Sequence, residues 1–110
     1  MLYSIPKPET DVPTAIAAWS IKAVIYDDHE QSTHHLIGYV RQERAGRVSS
    51  AIQSFDQDQR LIQTQSGRWY QLHGCPGEHP DAEYVWQHWK NFHTARDEQD
   101  VTNQYWSRAL

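Results

Sequence analysis

The segment from Ser66 to Phe92 constrains the fold more than any other part of the chain. It opens with a Ser-Gly pair typical of β-hairpin turns and continues through a short aromatic strand, RWYQLH. A loop punctuated by Gly and Pro leads into a helical pattern that begins at Pro80. Pro suits the first position of a helix, and Asp81 and Glu83 place negative charge at the positive end of its dipole. We therefore predict a helix over residues 80–94.

Apolar and polar residues alternate upstream of this segment, which is typical of β-strands. One face of the first strand carries Trp19, Ile21, Ala23 and Ile25, and the other carries Ser20, Lys22, Val24 and Tyr26. Three further runs, HLIGYVR, RVSSAIQSF and LIQTQ, are separated by polar or Gly-containing turns. Five short strands with turns about every ten residues predict an antiparallel meander over residues 19–73.

The fold class that follows is α+β, with an antiparallel β-meander of about five strands and one main C-terminal helix packed on one face. We expect the helix to cover the face that carries Trp19, Ile21 and Ile25. The helical residues with the matching spacing are Ala82, Val85, Trp89 and Phe92. The ring of either Trp69 or Tyr70 joins that face, and the sequence leaves the choice open because a one-residue slip exchanges them.

A length of 110 residues fits a single domain. Apolar residues make up only 38% of the chain, but Phe, Trp and Tyr make up 12%, and a few large rings can form a core. The predicted segments are an extended N-terminal arm at 1–13, the β-meander at 19–73, the helix at 80–94 and a C-terminal segment at 97–110. Within the last, residues 97–100 read as a charged connector.

The charge and cysteine content bear on the function class. A formal net charge of −4 is a poor electrostatic footprint for a nucleic-acid-binding protein, which neutralises phosphates with Lys and Arg. A single Cys precludes an intrachain disulfide, and no apolar run approaches the ~18 residues of a membrane-spanning helix. We therefore expect a soluble, cytoplasmic protein that makes no membrane contact.

The loop after the aromatic strand is the best place for chemistry. Imidazole and thiolate are good zinc ligands, and the residues that could hold a metal are His73, Cys75, His79 and His88, with His34 and His35 as further donors. The spacing is not that of a zinc finger, and no Cys/His protease spacing surrounds Cys75. We therefore predict a structural loop in which Gly74 and Gly77 supply unusual backbone angles, with no metal, no cofactor and no catalytic residue.

Aromatic residues are more numerous than a core of this size can hide. Tyr, Trp and Arg are the residue types that dominate binding hot spots. We therefore expect some rings to stay partly exposed and to contact a protein partner. The candidates are Tyr26, Tyr39, Trp86, Tyr105 and Trp106. The alternative is that each ring covers a sheet face or a helix end, with only its polar tip in water.

The order HLIGYV, GRVSSAIQSFD, SGRWYQLHG, then PG and a helix with YVWQHW resembles a set of small uncharacterised bacterial proteins. The resemblance covers roughly residues 34–90. It supports the boundaries of the predicted elements and implies no activity.

The function that we predict is a non-catalytic protein-interaction module. It would act as a small regulator or inhibitor carried by a phage or mobile element, of the anti-CRISPR or anti-restriction type. The first alternative is a metal- or thiol-dependent enzyme that uses the Cys75 loop. The second is a nucleic-acid-binding protein, which needs a set of arginines to converge on one face. That set is Arg41, Arg44, Arg47, Arg60 and Arg68. The expected partner is a protein, and the sequence leaves a homodimer open.

Overall fold

The computed structural model describes residues 12–26, 32–93 and 95–106. Six strands and one helix follow one another along these residues, which confirms the α+β class. They are β1 (Thr14–Tyr26), β2 (Ser32–Val40), β3 (Ala45–Asp56), β4 (Leu61–Thr64), β5 (Trp69–Leu72), α1 (Pro80–Phe92) and β6 (Ala95–Asp100), followed by a short 3₁₀ turn, Thr102–Gln104. The predicted N-terminal arm lies outside the described residues except for Val12 and Pro13.

The sheet is mixed, so the prediction of a purely antiparallel meander is wrong. Each pair of consecutive strands from β1 to β5 is antiparallel, as a meander requires. However, β5 also pairs in parallel with the first half of β1, and β1 pairs with β2, so the five strands close into a small barrel. The sixth strand extends the second half of β1, and it includes residues 97–100, which the sequence indicated to be a connector.

A bulge in β1 allows one edge of this strand to pair with two different strands, β5 and then β6. Ala18 has φ 48°, in the left-handed region, and the pairing register with β2 shifts between Ala17 and Ser20. Because one extra residue is inserted, Ile16 and Trp19 both point into the barrel although they are three positions apart. The strand thereby follows β5 before the bulge and β6 after it.

The barrel interior is the main core. Trp19, Ile21 and Ala23 point inward together with residues from the other strands, which confirms the predicted alternation for these three residues. Ile25, which was predicted on the same face, is half-buried and does not belong to this core. The other inward-facing buried residues are Ile16, Leu36, Val40, Ile62, Tyr70, Leu72 and Val101. The interior ring of β5 is therefore that of Tyr70. Gly38 faces Ile16, where a Cβ would lie only 2.6 Å from Ile16 Cγ1, so the missing side chain makes room for Ile16.

The helix packs on the outside of the barrel, chiefly over β3 and β2. The prediction that it covers the face of Trp19 and Ile21 is wrong, because that face is enclosed by the barrel itself. Instead, Ala82 and Trp86 of the helix pack on Val24 and Ile37, with Val48, Trp89 and Ala95 at the margin of this second core. The helix also ends at Phe92, two residues before the predicted boundary.

The N-terminal turn of α1 approaches β3 very closely. A Cβ added at Gly46 would lie 2.4 Å from the carbonyl oxygen of Asp81 and 2.6 Å from Cα of Ala82. This contact is backbone against backbone, so neither side can yield by changing a rotamer. Gly46 therefore sets the distance between helix and barrel.

Candidate functional site

The loop between β5 and α1 is fixed to the edge of β1. The backbone amides of His73 and Gly77 donate to the carbonyls of Ile16 and Trp19, each over 2.9 Å. The indole Nε1 of Trp19 donates in turn to the carbonyl of Gly74 over 3.2 Å. The same stretch of β1 lies beyond the end of β5, so the loop continues the pairing of that edge. The loop is consequently held in place against β1 by these hydrogen bonds.

The two glycines of this loop play different roles. Gly74 has φ +70°, a left-handed conformation that L side chains rarely adopt, so the predicted role of Gly74 is confirmed. Gly77 is not in that region, so the same prediction is wrong for Gly77. A Cβ there would meet Cα of Ala18 at 3.5 Å, which is an ordinary contact.

His79 joins the loop to the helix. Its Nδ1 accepts a hydrogen bond from the backbone N–H of Asp81 over 3.1 Å, so the imidazole caps the N-terminus of α1. Its ring also stacks on Tyr39, with the ring centroids 3.9 Å apart and the planes 14° apart. One ring nitrogen is thereby committed to the helix, and Tyr39 is held against the end of the loop.

A groove of about 370 Å³ lies beside this loop. Its floor is β1 from Ala15 to Ala17, where the small side chains of Ala15 and Ala17 leave the space open and Ile16 is buried in the barrel. Tyr39 and Arg41 form one wall, and His73 and Gly74 form the other. We call this feature the loop groove. None of the described residues that line it carries a carboxylate, and its two basic side chains, Arg41 and His73, are exposed.

The structure brings together only part of the predicted metal set. His73 lines the loop groove, and His79 stacks against the groove residue Tyr39. Cys75 is an exposed free thiol further along the loop, and His88 lies on the exposed side of α1, its ring 4.4 Å from that of Tyr84. Within the part of the chain that the structure describes, no three His, Cys, Asp or Glu side chains are grouped to hold a metal ion.

His34 and His35 point to opposite faces of β2. The Nδ1 of His34 lies 2.7 Å from the hydroxyl of Tyr105. His35 is buried beneath α1, with Nδ1 2.9 Å from the carbonyl of Ser49 and Nε2 2.7 Å from the hydroxyl of Thr33. Since a carbonyl only accepts, Nδ1 of His35 donates. Burial lowers the pKa of His35 below its ordinary value of 6.5, and this effect is larger than the increase caused by the hydrogen bond to the Ser49 carbonyl.

Trp86 does not serve as an exposed binding residue, so its selection as a binding candidate is wrong. Its side chain is 1% exposed, and its ring stacks on Trp89 with centroids 5.3 Å apart. Its Nε1 donates to a carboxylate oxygen of Glu98 over 2.9 Å, and Lys90 bonds to the other oxygen. Burial opposes ionisation of Glu98, but these hydrogen bonds outweigh it and lower its pKa.

Tyr105 and Trp106 are half-buried and close one end of the barrel. The ring of Trp106 lies edge-on to Trp19 at 6.0 Å, and the guanidinium of Arg60 covers it at 4.2 Å. Tyr105 packs against Phe55, and burial raises the pKa of its hydroxyl. These contacts fit the alternative of rings that cover an end of the fold. The side chain of Tyr26 lies outside the described residues.

Four of the five arginines of the nucleic-acid alternative lie close to the turn that joins β2 to β3. Arg41, Arg44 and Arg47 belong to this turn or to the start of β3, and Arg68 is close enough to Glu43 to help Arg47 lower the pKa of that carboxyl. Arg60 and Arg68 precede β4 and β5, which are antiparallel, so they lie at opposite ends of this strand pair. Arg47 pairs with Glu43, and Arg68 donates to the hydroxyl of Thr14. Arg41 alone of the set lines the loop groove. The nucleic-acid alternative stays a prediction.

One side of α1 is exposed and carries aromatic residues, which the helical pattern did not predict. Phe92 was assigned to the core, but its side chain is 83% exposed, and Tyr84 is 66% exposed. A signal for this side was available, because positions 84, 87, 88, 91 and 92 share one helical face without a charged residue.

No protein-family model, curated protein or solved structure matches this chain. The resemblance over residues 34–90 therefore stays a prediction. Across residues 12–26, 32–93 and 95–106, no helix combines the length and the apolar character needed to cross a membrane.

Proposed function

We propose that this chain is a non-catalytic protein-interaction module whose loop groove holds a short acidic segment of a partner protein. The observation that carries the proposal is the composition of the groove. An alanine floor provides an apolar surface, and Tyr39, Arg41 and His73 are the side chains that stand around it. Tyr and Arg are the residue types on which binding energy concentrates.

The charge of the groove favours an acidic segment. Arg41 offers a planar guanidinium that matches a carboxylate in two parallel hydrogen bonds, and His73 adds nitrogen donors on the opposite wall. Because none of the described residues that line the groove is acidic, an incoming Asp or Glu meets no like charge from them. A volume of about 370 Å³ is at the lower end of ligand clefts, which suits a short segment rather than a large ligand.

The rigidity of the walls also supports binding. The loop is fixed by backbone hydrogen bonds to Ile16 and Trp19, and Tyr39 is held by its stack on His79. Walls that are ordered before binding lose little conformational entropy when a partner docks. Such a module fits the role of a small regulator or inhibitor, of the anti-CRISPR or anti-restriction type carried by phages and mobile elements.

The proposal can be tested with a display library of random heptapeptides selected on the full chain. We expect enrichment of peptides with an Asp or Glu flanked by apolar residues. Arg41→Glu should weaken the enriched peptides at least ~10-fold, a loss of about 1.4 kcal/mol. Arg44→Glu is the matched control, since Arg44 is also exposed, carries the same charge and does not line the groove.

His73→Glu should have the same effect as Arg41→Glu, because both substitutions place a carboxylate in the groove wall. Dissociation constants measured by isothermal titration calorimetry distinguish the three variants. Enriched peptides that bind Arg41→Glu and Arg44→Glu equally well, or a selection with no acidic preference, would refute the proposal.

A further inference from the structure

A second cleft, of about 350 Å³, lies where the end of the β5–α1 loop meets β1 and the end of β6. We call it the polar cleft. Its charged and hydrogen-bonding side chains include those of Ser20, Lys22, Glu78, Glu83, Asp100 and Asn103. None of the described residues that line it also lines the loop groove, so binding in the polar cleft does not depend on the proposed function.

The polar cleft holds more negative than positive charge. Lys22 Nζ lies 3.6 Å from Oδ2 of Asp100, and Oδ1 of Asp100 accepts a hydrogen bond from the backbone N–H of Thr102 over 2.9 Å. The carboxylate of Asp100 is therefore already bonded, and Lys22 balances its charge. In contrast, the carboxylates of Glu78 and Glu83 accept no hydrogen bond and form no ion pair with any residue that the structure describes. Two negative charges of the cleft are thus left unbalanced.

Ser20 adds a buried hydroxyl that has no partner. It lies between Trp19 and Ile21, which both point into the barrel, so its side chain points outward into the polar cleft. The residue is only 9% exposed, yet its hydroxyl makes no hydrogen bond within residues 12–26, 32–93 and 95–106. Buried polar groups of native proteins are almost always hydrogen-bonded, so this hydroxyl indicates an occupant of the cleft that bonds to it.

We propose that the polar cleft binds the guanidinium group of an arginine or of a small molecule that carries the same group. The occupant has to be a cation, because the carboxylates of Glu78 and Glu83 are unbalanced. It also has to reach acceptors that lie apart, since no three His, Cys, Asp or Glu of the described chain are grouped to share a metal ion. A guanidinium spreads its charge over a plane and has five N–H donors, enough to serve both carboxylates and the hydroxyl of Ser20.

A lysine fits the polar cleft less well than an arginine. Its ammonium has three donors and is a compact charge that water hydrates strongly, so its transfer into a half-enclosed cleft costs more. The guanidinium group can belong to an arginine within a peptide or to a free small molecule. The experiment therefore includes one probe for each source.

NMR titration of the full, ¹⁵N-labelled chain tests the proposal. The two probes are the capped tripeptide glycyl-arginyl-glycine and the small molecule agmatine. We expect the tighter of the two to bind with a dissociation constant of the order of 1 mM and to shift the backbone amide signals of Ser20, Gly77 and Asn103. That probe identifies the source. The same tripeptide with citrulline, which has the shape of arginine without its charge, should bind at least ~10-fold more weakly, and the lysine tripeptide at least ~3-fold more weakly.

Variants of the cleft test the residues assigned to it. Glu78→Gln and Glu83→Gln should each weaken the tighter probe at least ~3-fold, because each removes one unbalanced charge and keeps the shape of the side chain. Asp58→Asn is the matched control, since Asp58 is exposed, loses the same charge and does not line the cleft. Its affinity should equal that of the wild type.

Ser20→Ala should also weaken the tighter probe ~3- to 10-fold and leave the urea midpoint of unfolding unchanged, because no described residue bonds to the hydroxyl. Citrulline and arginine tripeptides that bind equally well would overturn the proposal. So would the absence of any shift at Ser20 with either probe up to about 20 mM, or a Glu83→Gln variant that binds like Asp58→Asn.

Discussion

Gly46→Ala should destabilise the fold, because the added Cβ forces α1 away from β3. The added Cβ would lie 2.4 Å from the Asp81 carbonyl oxygen, 2.5 Å from its carbonyl carbon and 2.6 Å from Cα of Ala82. Ordinary van der Waals contact begins near 3.4 Å, so the helix and strand must separate by about 1 Å. All three atoms belong to the helix backbone, so no rotamer change can relieve the contact.

The cost follows from what this separation does to the second core. Forcing extra atoms into a packed site typically costs about 1–3 kcal/mol, and a rigid neighbour places the value at the upper end. Moving α1 outward also loosens Ala82 and Trp86, both 1% exposed. We therefore expect a loss of about 2–3 kcal/mol in the free energy of unfolding, or roughly 10–20 °C in melting temperature.

Urea unfolding followed by far-UV circular dichroism measures this loss. The matched control is Gly77→Ala, whose Cβ would meet Ala18 at an ordinary 3.5 Å in a backbone conformation that Ala accepts. This control should stay within about 0.5 kcal/mol of the wild type, because it adds no strain and reduces the freedom of the unfolded chain. Equal stabilities of the two variants would refute the role assigned to Gly46.

Two further predictions concern buried polar groups. Burial lowers the pKa of His35 in the folded protein below its ordinary value of 6.5, so the unfolded chain binds a proton at a higher pH than the folded chain does. The free energy of unfolding should therefore fall as the pH drops from about 6.5 towards the pKa of His35 in the folded protein. His35→Gln removes this titrating group, so its free energy of unfolding should fall less than that of the wild type between about pH 7.5 and pH 5.5. Urea unfolding at about pH 7.5, 6.5 and 5.5 measures both proteins. An equal dependence of the unfolding free energy on pH in the two proteins would contradict the prediction. Glu98→Ala should cost about 1–3 kcal/mol, because Trp86 Nε1 loses its acceptor, whereas Glu98→Gln keeps an acceptor and should cost less. Equal losses would argue against the Trp86 bond.

The local pattern of the chain predicted most of the elements. The alternation around Trp19 and Ile21 correctly separated the two faces of β1, and the turn residues separated the strands of the meander. Pro80 and the acidic first turn fixed the start of α1. These features depend on residues close together in sequence, for which period and turn chemistry are direct physical signals.

Closure of the barrel depends on contacts that no local pattern encodes. The parallel pairing of β1 with β5 joins Ile16 to Leu72, residues 56 positions apart. It also requires the bulge at Ala18, which a sequence shows only as one more alanine in an apolar run. The strand β6 escaped prediction because Asp97, Glu98 and Asp100 are typical of connectors. Its charged composition suits an edge strand, where charge discourages pairing with further chains.

The loop groove shows why the site was only partly predictable. Its polar residues come from the end of β2, from the residue after it and from the loop after β5, and Tyr39 and His73 were selected for different reasons. The closed barrel places them on either side of β1, where Ala15 and Ala17 leave a gap that larger residues would fill. A pair of alanines in a strand carries no functional signal by itself. The two alanines indicate a site only when Arg41 and His73 lie on either side of them. Those two residues reach these positions only after the parallel pairing of β1 with β5 has formed.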